Sequence, residues 1–270
     1  MTQMALMTRG ELTAACQNGA LLVVPIGATE QHGEHLAVGT DHLISEHIAA
    51  EAAARINAEA TAKTSAEAVA SPAIVVAPTL TFGHSHHHLP FGGTISITPA
   101  TFQQVLIEIG STAVTSGFQR LYFLNGHGGN VEIAATAARE ITRHTGRPVG
   151  AGSYWTMARD RLTELTGEQS SLVPGHAGFF ESSLMLALHP KGVRDERPSR
   201  GAGDPRAAAV RLDAGMPWFW HAIDGWTDEA VDAAAEDGHT WLAAIVDAVV
   251  EGLTDFIAQT DREPEGWSSS

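Results

Sequence analysis

Three short stretches of the chain carry acids and imidazoles at spacings suited to holding a cation. In Glu30-Gln31-His32 a carboxylate and an imidazole are two residues apart. In extended backbone, residues i and i+2 project to the same side, so both groups can converge on one point. Asp41 follows after a loop containing Gly33 and Gly39, which can fold it back toward that point. His127 stands between Gly126 and the pair Gly128-Gly129. Glycines let the main chain approach a ligand closely and present its N–H groups. Carboxylate with imidazole is a ligand set for zinc, manganese or iron. Glu30, His32, Asp41 and His127 are therefore the expected metal ligands. Asp41 equally suits the N-cap of a following helix.

Two further stretches carry chemistry with alternatives open. His176 and Glu181 lie near Gly175 and Gly178. Glu181 is either a partner for a helix dipole or a metal ligand, with His176 shuttling protons. His86-His87-His88 has the composition of a metal tract, but consecutive loop side chains diverge. The expectation there is substrate contact or a lid, with His86 as the candidate. Trp218, Phe219, Trp220 and Trp226 read as core or subunit contact.

The elements that must position these groups follow from hydrophobic patterning. Ala20 to Ile26 is a continuous apolar run, as in a strand covered on both faces. Residues 73–78, 120–124 and 148–154 supply three more strands. Thr8 with Glu11 starts a short helix. Leu43 to Asn57 has helix composition, and residues 59–71 read as a helix end and loop. Thr98-Pro99 opens a helix to about Thr115. Val131 to Thr145 and Phe180 to Leu188 are helices. Residues 194–225 are irregular, and Asp228 to Ile257 is helical, in two pieces broken near Gly238. Alternating strands and helices give an α/β domain with a mostly parallel sheet. Ligands gather outside the carboxyl ends of such strands. Three strands here end in loops bearing His32, His84 to His88, and His127, which argues for one shared site.

Length and composition set limits. A chain of 270 residues can bury one large core, expected over 1–262 with a frayed tail at 263–270. A net charge of −15 argues against nucleic acid and anionic membrane surfaces, which need clustered Lys and Arg. Cys16 is the lone cysteine, so neither an internal disulfide nor a thiolate cage is available. No basic-then-apolar leader opens the chain, and no apolar run approaches the roughly 18–20 residues that span a bilayer. The cytoplasm is the default location.

With these residues in place the chain resembles the creatininase (creatinine amidohydrolase) family. The resemblance rests on Pro25-Ile-Gly-Ala-Thr-Glu-Gln-His-Gly33 with Asp41, Gly92-Gly-Thr-Ile-Ser96, Asn125-Gly-His-Gly-Gly-Asn130, Ser153-Tyr-Trp155, and Gly175-His-Ala-Gly178 leading to Glu181. It implies a three-layer α/β/α fold and a hydrolase with two metal ions, zinc or manganese, iron in some relatives. It implies that Glu30, Asp41 and His127 hold one ion, and that His32 and Asp41 hold the other, with Asp41 bridging. It implies His176 as acid/base, Trp155 as the aromatic closing over substrate, and assembly as homo-oligomers, hexamers among them. One departure stands out. Creatininase itself carries a metal-binding Glu two residues after the ligand His, where this chain has Gly129. Formamide-cleaving and peptidase branches share the Gly-Gly-Asn form. The resemblance then leaves creatinine in doubt as substrate, with either Glu181 as the replacement ligand or a weakly held second ion.

The expected chemistry is amide C–N hydrolysis, of a cyclic amide, lactam or formamide, by a metal-bound hydroxide. One metal, or main-chain N–H groups near Gly128 and Gly129, would stabilise the oxyanion, and His176 would serve the leaving nitrogen. The rivals are a metallopeptidase for short peptides, and a non-catalytic metal- or ligand-binding oligomer.

Overall fold

Strand β1 (Leu21–Ile26) is buried along its whole length and runs between β2 (Ile74–Val76) and β3 (Arg120–Asn125). Strand β4 (Val149–Ser153) pairs with the far side of β3. All pairings are parallel, in the order β2-β1-β3-β4. The computed structural model describes residues 2–63, 73–200 and 217–261. The expected tail at 263–270 lies outside them.

The pleat of β1 divides its side chains between two cores. Leu21 and Val23 pack with Ile44, Ile48, Phe180 and Trp241. Leu22, Val24 and Ile26 pack with Phe102, Leu106, Phe118 and Ile141. The first core is closed by α2 (Thr40–Lys63), α5 (Tyr154–Met157), α6 (Arg159–Thr166), α7 (Phe179–Leu188) and α9 (Ala235–Thr260). The second is closed by α1 (Arg9–Gln17), α3 (Pro99–Thr115) and α4 (Val131–Thr145). Helices thus cover both faces of a parallel sheet, the three-layer α/β/α arrangement. A short helix, α8 (Pro217–Ala222), lies toward the end of the stretch read as irregular.

Local chemistry sets the helix ends. Thr8 and Glu11 form a reciprocal capping box, and the Thr98 hydroxyl accepts the Thr101 N–H with Pro99 at the first position. Three boundaries differ from the sequence reading, the last helix beginning at Ala235 rather than Asp228, after a 3-10 turn at Ala230–Asp232. Helix α2 starts upstream, because Leu43 N–H already bonds the Gly39 carbonyl at 3.0 Å, so Asp41 lies in its first turn. Helix α9 runs unbroken through Gly238. A Cβ there would overlap the Ser183 carbonyl oxygen on α7, so this glycine permits close helix packing rather than a break. Among the described residues no helix is long and apolar enough to cross a membrane.

Candidate metal centre

Three loops at the carboxyl end of the sheet are tied together before any side chain meets a ligand. Asn130 accepts the His84 N–H at 3.0 Å and donates to the Gly27 carbonyl at 3.0 Å. The loop after β1 is closed by Glu30 N–H to the Val38 carbonyl, 2.9 Å, which returns the chain into α2. His127 follows β3 directly. Asn125 accepts its N–H at 3.0 Å and donates to its carbonyl at 2.7 Å.

These ties bring Glu30, His32, Asp41 and His127 together, with Glu181 from the first turn of α7; all five are buried. Asp41 divides its oxygens. Oδ1 lies 3.2 Å from His32 Nε2 and Oδ2 lies 2.9 Å from His127 Nδ1. Glu30 Oε1 is 3.3 Å from His127 Nδ1, and Glu181 Oε2 is 3.7 Å from His32 Nε2. The outer ring nitrogens fix the rings. His127 Nε2 donates to the His84 carbonyl at 2.8 Å, and His32 Nδ1 donates to the Glu30 carbonyl at 3.1 Å. A carbonyl only accepts, so each ring aims its other nitrogen at the carboxylates, as metal-ligating histidines do.

The centre fits divalent cations. Glu30 Oε2 is buried with no partner, and Glu30 Oε1 and Asp41 Oδ2 face only ring nitrogens, so these buried anions call for positive charge, from a cation or from protonated imidazoles. Ligand atoms of His32, Asp41 and Glu181 lie within 4.8 Å of one another, as do those of Glu30, His87 and His127. The electrostatics agree. His32 is pushed up to about 10, burial being outweighed by Asp41, Glu181 and Glu30. His127 is raised well above its ordinary value, Glu30 and Asp41 outweighing burial. Burial would raise Glu30, but His127, His88 and His176 hold it well below the carboxylate range. Burial lifts Glu181 to about 8 in spite of His32 beside it. In the metal-free protein, protons on the imidazoles supply the positive charge that a cation would otherwise bring.

His176 closes the centre from the loop before α7. Its Nε2 donates to the Gln31 carbonyl at 3.0 Å, leaving Nδ1 3.5 Å from Glu30 Oε1. Burial, with His88 and His32 adding, holds it well below its ordinary value. That direction favours the uncharged imidazole at His176. Thr227 grips its main chain, accepting the His176 N–H at 2.8 Å and donating to its carbonyl at 2.9 Å. Asp228 completes the clamp, accepting the Thr227 hydroxyl at 2.7 Å and the Phe179 N–H at 2.8 Å.

A cavity of about 460 Å3 opens over the centre. Trp155, Gly128 and Gly129 line it as the sequence leads one to expect. His86 does not. Its Nδ1 is held 2.6 Å from the Ser96 hydroxyl, while His84, His87 and His88 line the wall instead. The reason is local. Residues 86–91 coil into a 3-10 turn, which sends successive side chains in different directions. Phe219 and Trp220, read from sequence as core or contact, also face the cavity. The side chain of Trp218 lies outside the described residues.

The parallel α/β/α fold with acids and imidazoles gathered at its carboxyl edge places a divalent-metal centre where such sheets bind their ligands. The chain matches the Creatininase family, described as creatinine amidohydrolase, over residues 5–253. It is 34% identical over 245 residues to the mycofactocin precursor peptide peptidase of Mycobacterium tuberculosis, covering 89% of this chain and 87% of that one. It is 30% identical over 194 residues to the creatinine amidohydrolase of Pseudomonas putida, covering 66% and 67%. A creatininase crystal structure superposes with a TM-score of 0.76 at 24% identity, over 97% of this chain and 99% of that one. Creatininase structures of this fold include a manganese form and a Zn–Zn form. The chain belongs to the creatininase family, and as a member it is a metal-dependent amidohydrolase acting on a carbon–nitrogen bond.

Proposed function

We propose that this amidohydrolase cleaves an amide of the cyclic or formamide type with divalent cations, zinc or manganese, two of which would be held at the centre with Asp41 able to offer one oxygen to each. The observation that carries the reading is the division of Asp41. Its two oxygens face two different imidazoles, with Glu30 beside one and Glu181 beside the other. Glu30, Asp41 and His127 would hold one cation; His32, Asp41 and Glu181 would hold the other. When bound, the cations polarise the amide carbonyl and lower the pKa of water from about 15.7 toward about 7.

The chain's own residues supply the rest. His176 Nδ1, neutral and aimed at the carboxylates, accepts the proton of the attacking water and returns it to the leaving nitrogen. Main-chain N–H groups at Gly128 and Gly129 stabilise the developing oxyanion. Trp155, Phe219 and Trp220 exclude water from the cavity. The surroundings of this chemistry are taken to be a homo-oligomer in the cytoplasm.

A second reading keeps the chemistry and changes the substrate to a short peptide. The 34% identity to a precursor-peptide peptidase favours it.

The test is elemental analysis followed by demetallation. About two ions per chain are expected, and chelation should abolish turnover in a panel of creatinine, formanilide, small lactams and blocked tripeptides. An undiminished rate in fully demetallated protein sinks the mechanism. The best member of the panel decides between the two substrate readings.

A further inference from the structure

The amide of Gln31 sits behind the centre, between two stacked imidazoles and the main chain of Gly225. Its orientation is fixed by main-chain groups that have no choice of role. Oε1 accepts the Gly33 N–H at 2.9 Å, and Nε2 donates to the Gly225 carbonyl at 2.7 Å. One amide proton is left. Two ring nitrogens lie within its reach, His88 Nδ1 at 2.9 Å and His176 Nε2 at 3.1 Å. The second is already a donor, because it points at the Gln31 carbonyl and a carbonyl cannot donate. The remaining proton therefore goes to His88 Nδ1. That nitrogen must carry a lone pair, so His88 is a neutral imidazole with its hydrogen on Nε2.

This Nε2–H is 3.7 Å from Glu30 Oε1, beyond hydrogen-bond length, and His88 is part of the cavity wall. His88 and His176 lie face to face, with ring centroids 4.2 Å apart and planes inclined by 15°. Trp220 packs edge-on against both, at 4.5 Å and 5.3 Å. Two parallel rings thus present opposite characters to one neighbourhood. His176 offers a lone pair and His88 offers a hydrogen.

Amide hydrolysis asks for that pair of characters. The water must lose a proton, and the carbonyl oxygen gains negative charge as it is attacked. We infer that His88 is a second catalytic imidazole, a neutral hydrogen-bond donor to the substrate's carbonyl oxygen, and that Gln31 is the positioning residue that fixes its tautomer. No proton leaves His88. It stabilises charge while His176 moves the proton. The inference rests on the reading of the site as an amide-hydrolysing centre.

Two measurements test it. In protein carrying 15N-labelled histidine, the His88 signals should be those of the Nε2–H tautomer, and Gln31→Leu should release the Nδ1–H form. In kinetics on the fastest of creatinine, formanilide and a blocked tripeptide, His88→Ala should lower kcat by about 100-fold to 1000-fold, the scale of one oxyanion donor. KM and the metal-to-protein ratio should stay within about threefold. His88→Asn, which restores an N–H donor, should recover part of the loss. An Nδ1–H tautomer at His88 in the unaltered protein overturns the inference. So does a His88→Ala protein of unchanged metal content whose kcat stays within about threefold of the parent. Undiminished turnover by demetallated parent protein overturns the underlying reading instead, and is told apart because it does not involve position 88.

Discussion

Position 129 shows what one absent side chain does. A Cβ on Gly129 would overlap the His84 carbonyl oxygen and lie 2.6 Å from His127 Nε2. Those two atoms form the hydrogen bond that turns His127 Nδ1 toward Asp41. The glycine is thus a condition of the His127 orientation, and Glu181 approaches His32 from α7 instead. Gly129→Glu should therefore not add a ligand. It should lower both bound metal and kcat by at least about tenfold, the scale on which outer-shell partners of metal ligands act. Elemental analysis with steady-state kinetics checks this, and a gain of tightly bound metal would contradict it. At this scale much was legible in the sequence. Glu30, His32, Asp41 and His127 converge as their strand-end positions suggest. His88 and Gln31 stayed hidden, because adjacent residues in a 3-10 turn and a buried amide leave no periodic trace.

Among the elements, the loop into α7 depends most on contacts from far along the chain. Thr227 and Asp228 hold the His176 main chain and the first N–H of α7 across a separation of about fifty residues. Such a clamp has no signature in spacing, so only the partners His176 and Glu181 could be named beforehand. Thr227→Val leaves the His176 N–H and an Asp228 oxygen without their partner. It should cost about 1–3 kcal/mol of stability, the scale of a buried unsatisfied polar group, and lower kcat more than it raises KM. Thr227→Ser should restore both. Denaturant unfolding and steady-state kinetics on the two variants provide the measurement. The helices themselves were well forecast wherever a cap marked the end, as at Thr8 and Thr98. The misjudged break at Gly238 arose because packing, not propensity, selects that glycine.

For the whole molecule the histidines set a pH optimum of stability. His35 donates from Nε2 to the Ala177 carbonyl at 2.8 Å, and burial lowers it from 6.5 to about 4. The unfolded chain then binds this proton more readily than the folded one, so stability falls as pH drops from 6.5 toward 4. His87, lowered to about 4, and His88, lowered to about 3, act in the same sense. His32 runs the other way. With its folded value near 10, its contribution is complete below 6.5 and is lost as pH rises toward 10. Metal-free protein should therefore be most stable near pH 6–7 by this balance. Denaturant midpoints between pH 4.5 and 9 would display the maximum (roughly the window in which both groups titrate), and a flat profile would refute it. Saturating metal should remove the alkaline decline, because a coordinated His32 no longer carries the proton.

The tie made by Asn130 reaches beyond catalysis. It fastens the turns at positions 27 and 84 to its own with amide chemistry alone, so joining them requires no cation. On the proposed reading, an arriving cation would displace protons from the imidazoles rather than assemble the turns that carry them. Cellular supply, more than the shape of the protein, would decide which ion is carried.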